Sequence, residues 1–196
     1  MSIDPIGCVD IDDACSLREI DGHYEVGIHI ADVCHYLAVD SALDRLARER
    51  ATSVYLVDRR IDMLPASLST NVCSLRAKHD RLAVSIFLEF DSRLLAAESS
   101  LLDTLNLVKP PRCTRTVLRS RYSLAYPQAQ ALANQKPVPL IENPYPNPDS
   151  PYEYTGSPVN EADSRWLSHD IAILMRSNRG NVEIECSRSR FASSSS

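Results

Sequence analysis

A chain of 196 residues, 44% hydrophobic and 24% charged, is long enough to bury one core. Its composition is that of an ordinary globular domain and excludes collagen-like and low-complexity classes. The net charge of −5 argues against a uniformly basic nucleic-acid clamp, and no apolar run approaches the length of a membrane span. The N-terminus, MSIDPIGCVDIDD, has neither a basic flank nor an apolar signal core. The six cysteines, none in a C-x-x-C pair, are therefore expected as reduced thiols in an intracellular compartment, cytoplasm or nucleus.

In chain order, Tyr24 to Ala31 alternates and is rich in β-formers, which predicts a strand. Ser41 caps a helix that should run to about Tyr55, with Leu43, Leu46, Ala47 and Ala51 on its apolar face and Asp44 as the acid of a capping box. Leu82 to Phe90 reads as a buried strand, Asp91-Ser92 as a turn, and Leu94 to Leu107 as a further strand. Pro127 sits in the first turn of a short helix, YPQAQALANQ. Residues 137–160 hold seven prolines and read as an irregular insertion. A helix follows from Glu161 to Asn178, with Leu167, Ile171, Leu174 and Met175 on one face. Asn181 to Cys186 reads as a last strand, and the Ser tail, 192–196, as disordered. The fold class expected is mixed α/β: a mixed sheet with flanking helices and a Pro-rich insertion in one domain over 1–191.

Charge is segregated along the chain. Met1 to His35 holds eight acidic residues and one basic residue, Arg18, whereas Lys109, Arg112, Arg115, Arg119 and Arg121 share a stretch with no acid. An acidic pocket beside a basic stretch suits a metal site that receives a polyanion, but on charge alone two solvated faces of opposite sign are the better reading. The dense segment is IDPIGCVDIDDA, in which Asp10, Asp12 and Asp13 lie within four residues and Asp4 six residues upstream. Like charges this close destabilise a fold unless a cation sits among them. Hard oxygen ligands suit Mg²⁺ or Mn²⁺, and Pro5 with Gly7 supplies a turn that folds Asp4 back onto the others. An EF-hand loop fails because Ala14 and Cys15 stand where an acid and a glycine are required. A phosphatase D-x-D of the haloacid dehalogenase type and a solvated acidic turn stay open on these residues alone. His29, Asp32 and His35 have the look of a metal triad, but a structural histidine is the better reading, and Cys34 and Cys73 read as core.

Around these aspartates stands an ordered series of blocks: HIADV (His29 to Val33), LDRLARERATSVYL (Leu43 to Leu56), MLPASLS (Met63 to Ser69), CSL (Cys73 to Leu75) and DRLAVSIFLEFD (Asp80 to Asp91). Together they resemble the RNB catalytic domain of the ribonuclease II, RNase R and exosome-nuclease family. The resemblance implies a metal site on Asp4, Asp10, Asp12 and Asp13. It also implies a tyrosine that stacks on the 3′-terminal base, falling on Tyr55, and a second that clamps the terminal nucleotides, falling on Tyr126. The activity implied is Mg²⁺-dependent (Mn²⁺ possible) hydrolysis of single-stranded RNA from the 3′ end to nucleoside 5′-monophosphates. Exosome-type proteins are implied as partners, with no membrane and no small-molecule organic cofactor. The chain is expected to carry only the front part of that domain. Its family pattern runs out before the downstream glutamate and arginine of the site, and no oligonucleotide-binding fold flanks it. A catalytically inactive RNB-like fragment that binds RNA or a protein is the alternative.

Overall fold

A computed structural model of the chain describes residues 1–91, 107–140 and 159–177. Its strands are β1 (Ser2–Asp4), β2 (Asp13–Ile20), β3 (His23–Ala31), β4 (Val54–Tyr55), β5 (Arg60–Ile61), β6 (Asp80–Asp91), β7 (Arg112–Arg119) and β8 (Ser123–Ala125). Its α-helices are α1 (Ala42–Arg50), α2 (Tyr126–Ala133) and α3 (Glu161–Ser177). A short 3₁₀ turn covers Val33–His35 and a π-helical turn covers Ser67–Val72.

Four strands form an antiparallel sheet in the order β2-β3-β6-β7. The β2–β3 link is a two-residue turn, Asp21-Gly22, with both residues at positive φ (49° and 80°). That backbone matches the twist of the two strands, and Asp-Gly adopts it readily. Separately, β1 pairs in parallel with β8, with Asp4 in register with Ala125. The peptide groups of Met1 and Cys15 join the two sheets: Cys15 N–H donates to the Met1 carbonyl at 2.7 Å. The mixed α/β class read from the sequence holds.

Three apolar clusters fix these parts. Val26 and Phe90 pack with Leu17, Leu88, Leu107 and Leu174 of α3. Ile11, Ala14, Leu75 and Ala83 pack under the acidic turn. Leu124, Ala129, Leu132, Leu167 and Ile171 join β8, α2 and α3. The helical face read for α3 is therefore the buried one at Leu167, Ile171 and Leu174. The side chain of Met175 and the strands expected at Leu94–Leu107 and Asn181–Cys186 lie outside the described residues, apart from Leu107, which bridges Phe90. So do 141–158 of the Pro-rich insertion and the Ser tail.

Two boundaries differ from expectation. Helix α1 ends at Arg50, because Ala51 turns left-handed (φ 61°) while its N–H still closes on the Ala47 carbonyl. Tyr55 is thereby released from the helix and sits in the β4–β5 ribbon. Ser41 does cap α1, accepting from Asp44 N–H at 3.1 Å, but Asp44 Oδ2 reaches back to Asp40 N–H rather than to Ser41. Cys34 is exposed rather than core, since it lies in the Val33–His35 turn beyond the end of β3, whereas Cys73 is buried as expected.

Candidate active site

The acidic segment is held from beneath by residues distant in sequence. Asp4 ends β1, and the turn after it closes with Cys8 N–H donating to the Pro5 carbonyl at 3.2 Å, with Gly7 at φ 80°. The backbone then runs over Ser74. The Ser74 hydroxyl accepts from Ile11 N–H at 3.0 Å and donates to the Val9 carbonyl at 2.9 Å, while Leu75 N–H donates to the Ile11 carbonyl at 2.8 Å. Ile11 is thus driven into the core, 1% exposed, while beside it Asp10 is half-buried and Asp12 exposed. Asp13 opens β2.

Asp4 is buried, 8% exposed, and its carboxyl is pushed up to about 6. Burial is the main cause; Asp13, Asp12 and Asp10 add repulsion, and the neighbouring Ser2 hydroxyl opposes the rise. Yet Asp4 Oδ2 and Ser2 Oγ are both buried with no hydrogen-bond partner of proper geometry. Asp12 is raised as well, by desolvation first and then by Asp10 and Asp13, against the pull of Arg60. Burial first, then repulsion from Asp4, Asp10 and Asp12, push the Cys8 thiol up to about 12, so it stays protonated at neutral pH.

A donor set made of carboxylates, one of them buried with an orphaned oxygen, fits a hard divalent cation. The fit is chemical rather than a finished cage: among the described residues no three His, Cys, Asp or Glu side chains converge closely enough to enclose an ion. Asp10 explains part of this. Both of its carboxylate oxygens accept from Arg60 Nη1 at 2.9 Å, and Arg60 also pairs with Asp62.

Both tyrosines border the acids. Tyr55, 72% exposed, is the strand partner of Arg60, whose guanidinium lies 6.0 Å from the ring centroid. Tyr126, 36% exposed, opens α2 directly after Ala125, the partner of Asp4. The ribbon therefore places Tyr55 beside Arg60, the partner of Asp10, and the parallel ladder places Tyr126 next in the chain to the partner of Asp4.

The basic stretch does not form one open row. Arg112 lies on one face of β7 and Arg115 and Arg119 on the other, and each is paired: Arg112 with Glu25, Arg115 with Asp32 at 3.0 Å, Arg119 with Asp80 at 2.6 Å. Lys109 pairs with Glu89, and Arg121 lies over the Trp166 ring. His29 is structural as read: its ring bridges Ser85 Oγ at 2.7 Å and Ser16 Oγ at 2.9 Å, so it offers neither nitrogen to a metal. Sequence reading missed Arg60 and Ser74, although Ser74 lies within the quoted CSL block and Arg60 lies just upstream of MLPASLS.

A mixed α/β domain whose four clustered carboxylates are flanked by exposed aromatics has the chemistry of a site for phosphodiesters. Comparison with known proteins makes this specific, and the chain belongs to the RNB domain family: the RNB domain profile matches residues 1–194. The chain is 45% identical over 130 residues to the exosome complex exonuclease RRP44 of Mus musculus, covering 66% of this chain and 12% of that protein. It is 39% identical over 136 residues to ribonuclease R of Chlamydia trachomatis, covering 69% of this chain and 18% of that protein. It thus spans less than a fifth of these relatives. Among solved structures, Mycoplasma genitalium RNase R in complex with double-stranded RNA superposes with a TM-score of 0.59 at 25% identity, covering 72% of this chain and 23% of that one. Yeast Ssd1, described as a pseudonuclease, shares the fold with a TM-score of 0.53 at 23% identity over 68% of this chain and 15% of that one. Family membership removes the haloacid dehalogenase reading.

Proposed function

We propose that this chain is the acid-bearing part of a 3′→5′ exoribonuclease domain that hydrolyses single-stranded RNA to nucleoside 5′-monophosphates with Mg²⁺, or Mn²⁺ in its place. The observation that carries the proposal is the buried, unpartnered Asp4 oxygen in electrostatic contact with Asp10, Asp12 and Asp13. Those four carboxylates are the residues that would hold the ion. Such an ion lowers the pKa of a bound water and offsets charge on a phosphate. Asp4, deprotonated above about pH 6, supplies the least solvated negative charge. Asp12 stands free of Arg60's bidentate grip and is the carboxylate whose loss should matter most for cleavage. Tyr55, open to solvent, offers a stacking face for a 3′-terminal base, and Tyr126 a second contact beside Asp4. Stacking holds single-stranded bases without regard to sequence. The names of the relatives support RNA as the substrate and exosome-type proteins as partners.

The test is a 5′-labelled single-stranded RNA incubated with the purified chain and Mg²⁺. Stepwise shortening to a small limit product supports the proposal, and Asp12→Asn should abolish it with RNA affinity little changed. Full cleavage by Asp12→Asn overturns the site assignment. A second reading, an inactive RNB-like module that binds RNA, is favoured by the pseudonuclease that shares its fold. RNA binding without shortening supports that one.

A further inference from the structure

The β4–β5 ribbon is only two residues on each side and is joined by the pairs Val54–Ile61 and Tyr55–Arg60. A two-stranded ribbon of this size is at best marginally stable alone. Its own side chains do not bury it: Val54, Tyr55, Leu56, Val57 and Ile61 are all exposed. Something else must hold it in place. Arg50 of α1 donates to the Asp62 carbonyl at 2.8 Å, and Ser53 Oγ accepts from Met63 N–H at 3.0 Å, so the open end of the ribbon is closed and tied to α1. The side chain that ties its middle to the acidic segment is Arg60, fifty residues from Asp10 in sequence, through two hydrogen bonds at 2.9 Å. The two partners are only 25% and 26% exposed, so the pair is screened less than a surface ion pair.

From this geometry we propose that Arg60 is a positioning residue that couples the exposed aromatic platform at Tyr55 to the acidic site, and that it shares Asp10 with the divalent cation. The inference rests on the function proposed above. One guanidinium then does two things. It fixes the distance between the stacking ring and the carboxylates, and its positive charge lowers the site's affinity for the ion. These effects have opposite signs when Arg60 is lost, which separates positioning from general structural support.

Two binding measurements on the full 196-residue chain, neither of them activity, provide the test. Mn²⁺ affinity is measured by electron paramagnetic resonance without RNA. Affinity for a fluorescent single-stranded oligoadenylate is measured in EDTA, where no cleavage occurs. Arg60→Gln should bind Mn²⁺ about three- to tenfold more tightly, because one nearby positive charge is gone. It should bind RNA about tenfold more weakly, and Tyr55→Ala should then add little further loss, because both changes remove the same stacking contact. Arg60→Lys keeps the charge without the planar fork. It should leave Mn²⁺ affinity near that of the parent chain while still weakening RNA binding, and it carries the test if the Gln variant loses its circular dichroism signature. The inference is overturned if Arg60→Gln weakens both ligands or neither, or if the Arg60 and Tyr55 losses multiply. A parent chain that binds neither Mn²⁺ nor RNA overturns the proposed function, and this inference with it. A parent chain that binds both, with Arg60 variants that do not diverge, overturns the inference alone.

Discussion

Asp4 is the residue at which burial and function pull against each other. An aspartate normally loses its proton near 3.8, but this one holds it to about 6 in the folded chain. Between those values the folded state binds more protons than the unfolded state, so stability falls as pH rises from about 4 to about 6. At neutral pH the ionised carboxylate costs the fold on the order of 3 kcal/mol, since the rise from 3.8 to about 6 spans about two tenfold steps in proton affinity, each worth about 1.4 kcal/mol. Asp4→Asn should therefore be more stable than the parent chain at pH 7 without divalent ions and equal to it near pH 4, as read by urea denaturation. A buried His29, whose pKa is lowered by desolvation, destabilises the fold as pH falls, but it is present in both chains and cancels in the comparison. Equal stabilities at pH 7 would show that Asp4 is not held out of water. In the parent chain, divalent-ion affinity should climb as pH rises toward 6 and level off above it, measured by Mn²⁺ titration at several pH values. The four aspartates were legible because they are neighbours in sequence. Arg60 was not, since nothing local marks an arginine fifty residues away as the partner of Asp10.

Among the elements, the four-stranded sheet carries a polar row across its width. Ser16 of β2, His29 of β3, Ser85 of β6 and Thr116 of β7 are linked in turn by hydrogen bonds of 2.9, 2.7 and 2.6 Å. Gly27 lies against this row: a Cβ there would stand 2.4 Å from Ser16 Oγ and 2.8 Å from His29 Nε2. Both atoms are already committed to each other, so neither can move without breaking a buried hydrogen bond. Gly27→Ala should destabilise the chain by about 1–3 kcal/mol, measured by thermal unfolding. A change within a few tenths of a kcal/mol would mean the row yields freely. The strand β3 was readable from its alternation, whereas β2 and β7 were not, because Arg18, Glu19, Arg112, Arg115 and Arg119 mask them in a hydropathy pattern. Their charges are satisfied across the sheet, Arg18 and Arg112 on Glu25, Arg115 on Asp32, Arg119 on Asp80. The Asp21-Gly22 turn that joins β2 to β3 went unread, although Asp-Gly is a local hairpin signal.

For the molecule as a whole, α3 is what holds the short β1–β8 ladder, and hence Asp4 and Tyr126, in place. Leu167 and Ile171 are fully buried against Leu124, Ala129 and Leu132. The same helix is pinned at its start by Asp163, which accepts from the Tyr122 hydroxyl and, at 2.7 Å, from the Trp166 indole. Ile171→Ala should cost about 2–5 kcal/mol, and because the lost contact supports the ladder, it should weaken Mn²⁺ binding at temperatures where the chain is still folded. Unchanged ion binding in a destabilised variant would separate the ladder from the site. One face of the large sheet leaves Ile28, Ile30, Ile86 and Val117 exposed by 37%, 48%, 40% and 69%, a bare apolar surface on the chain as it stands. No helix among the described residues is long and apolar enough to cross a membrane.

The amino-acid sequence by itself determined the four carboxylates, the capped start of α1, the buried face of α3 and the family's ordered blocks, because each depends on residues close along the chain. Only the tertiary structure decided that Tyr55 leaves the helix for a ribbon, that the basic stretch is spent on ion pairs across two faces, and that Ser74 and Arg60 hold the acidic segment from below and from the side. Those outcomes depend on contacts between residues as much as eighty-seven positions apart. Burial and charge pairing across such separations are set by the packing of the sheet, which no local pattern encodes.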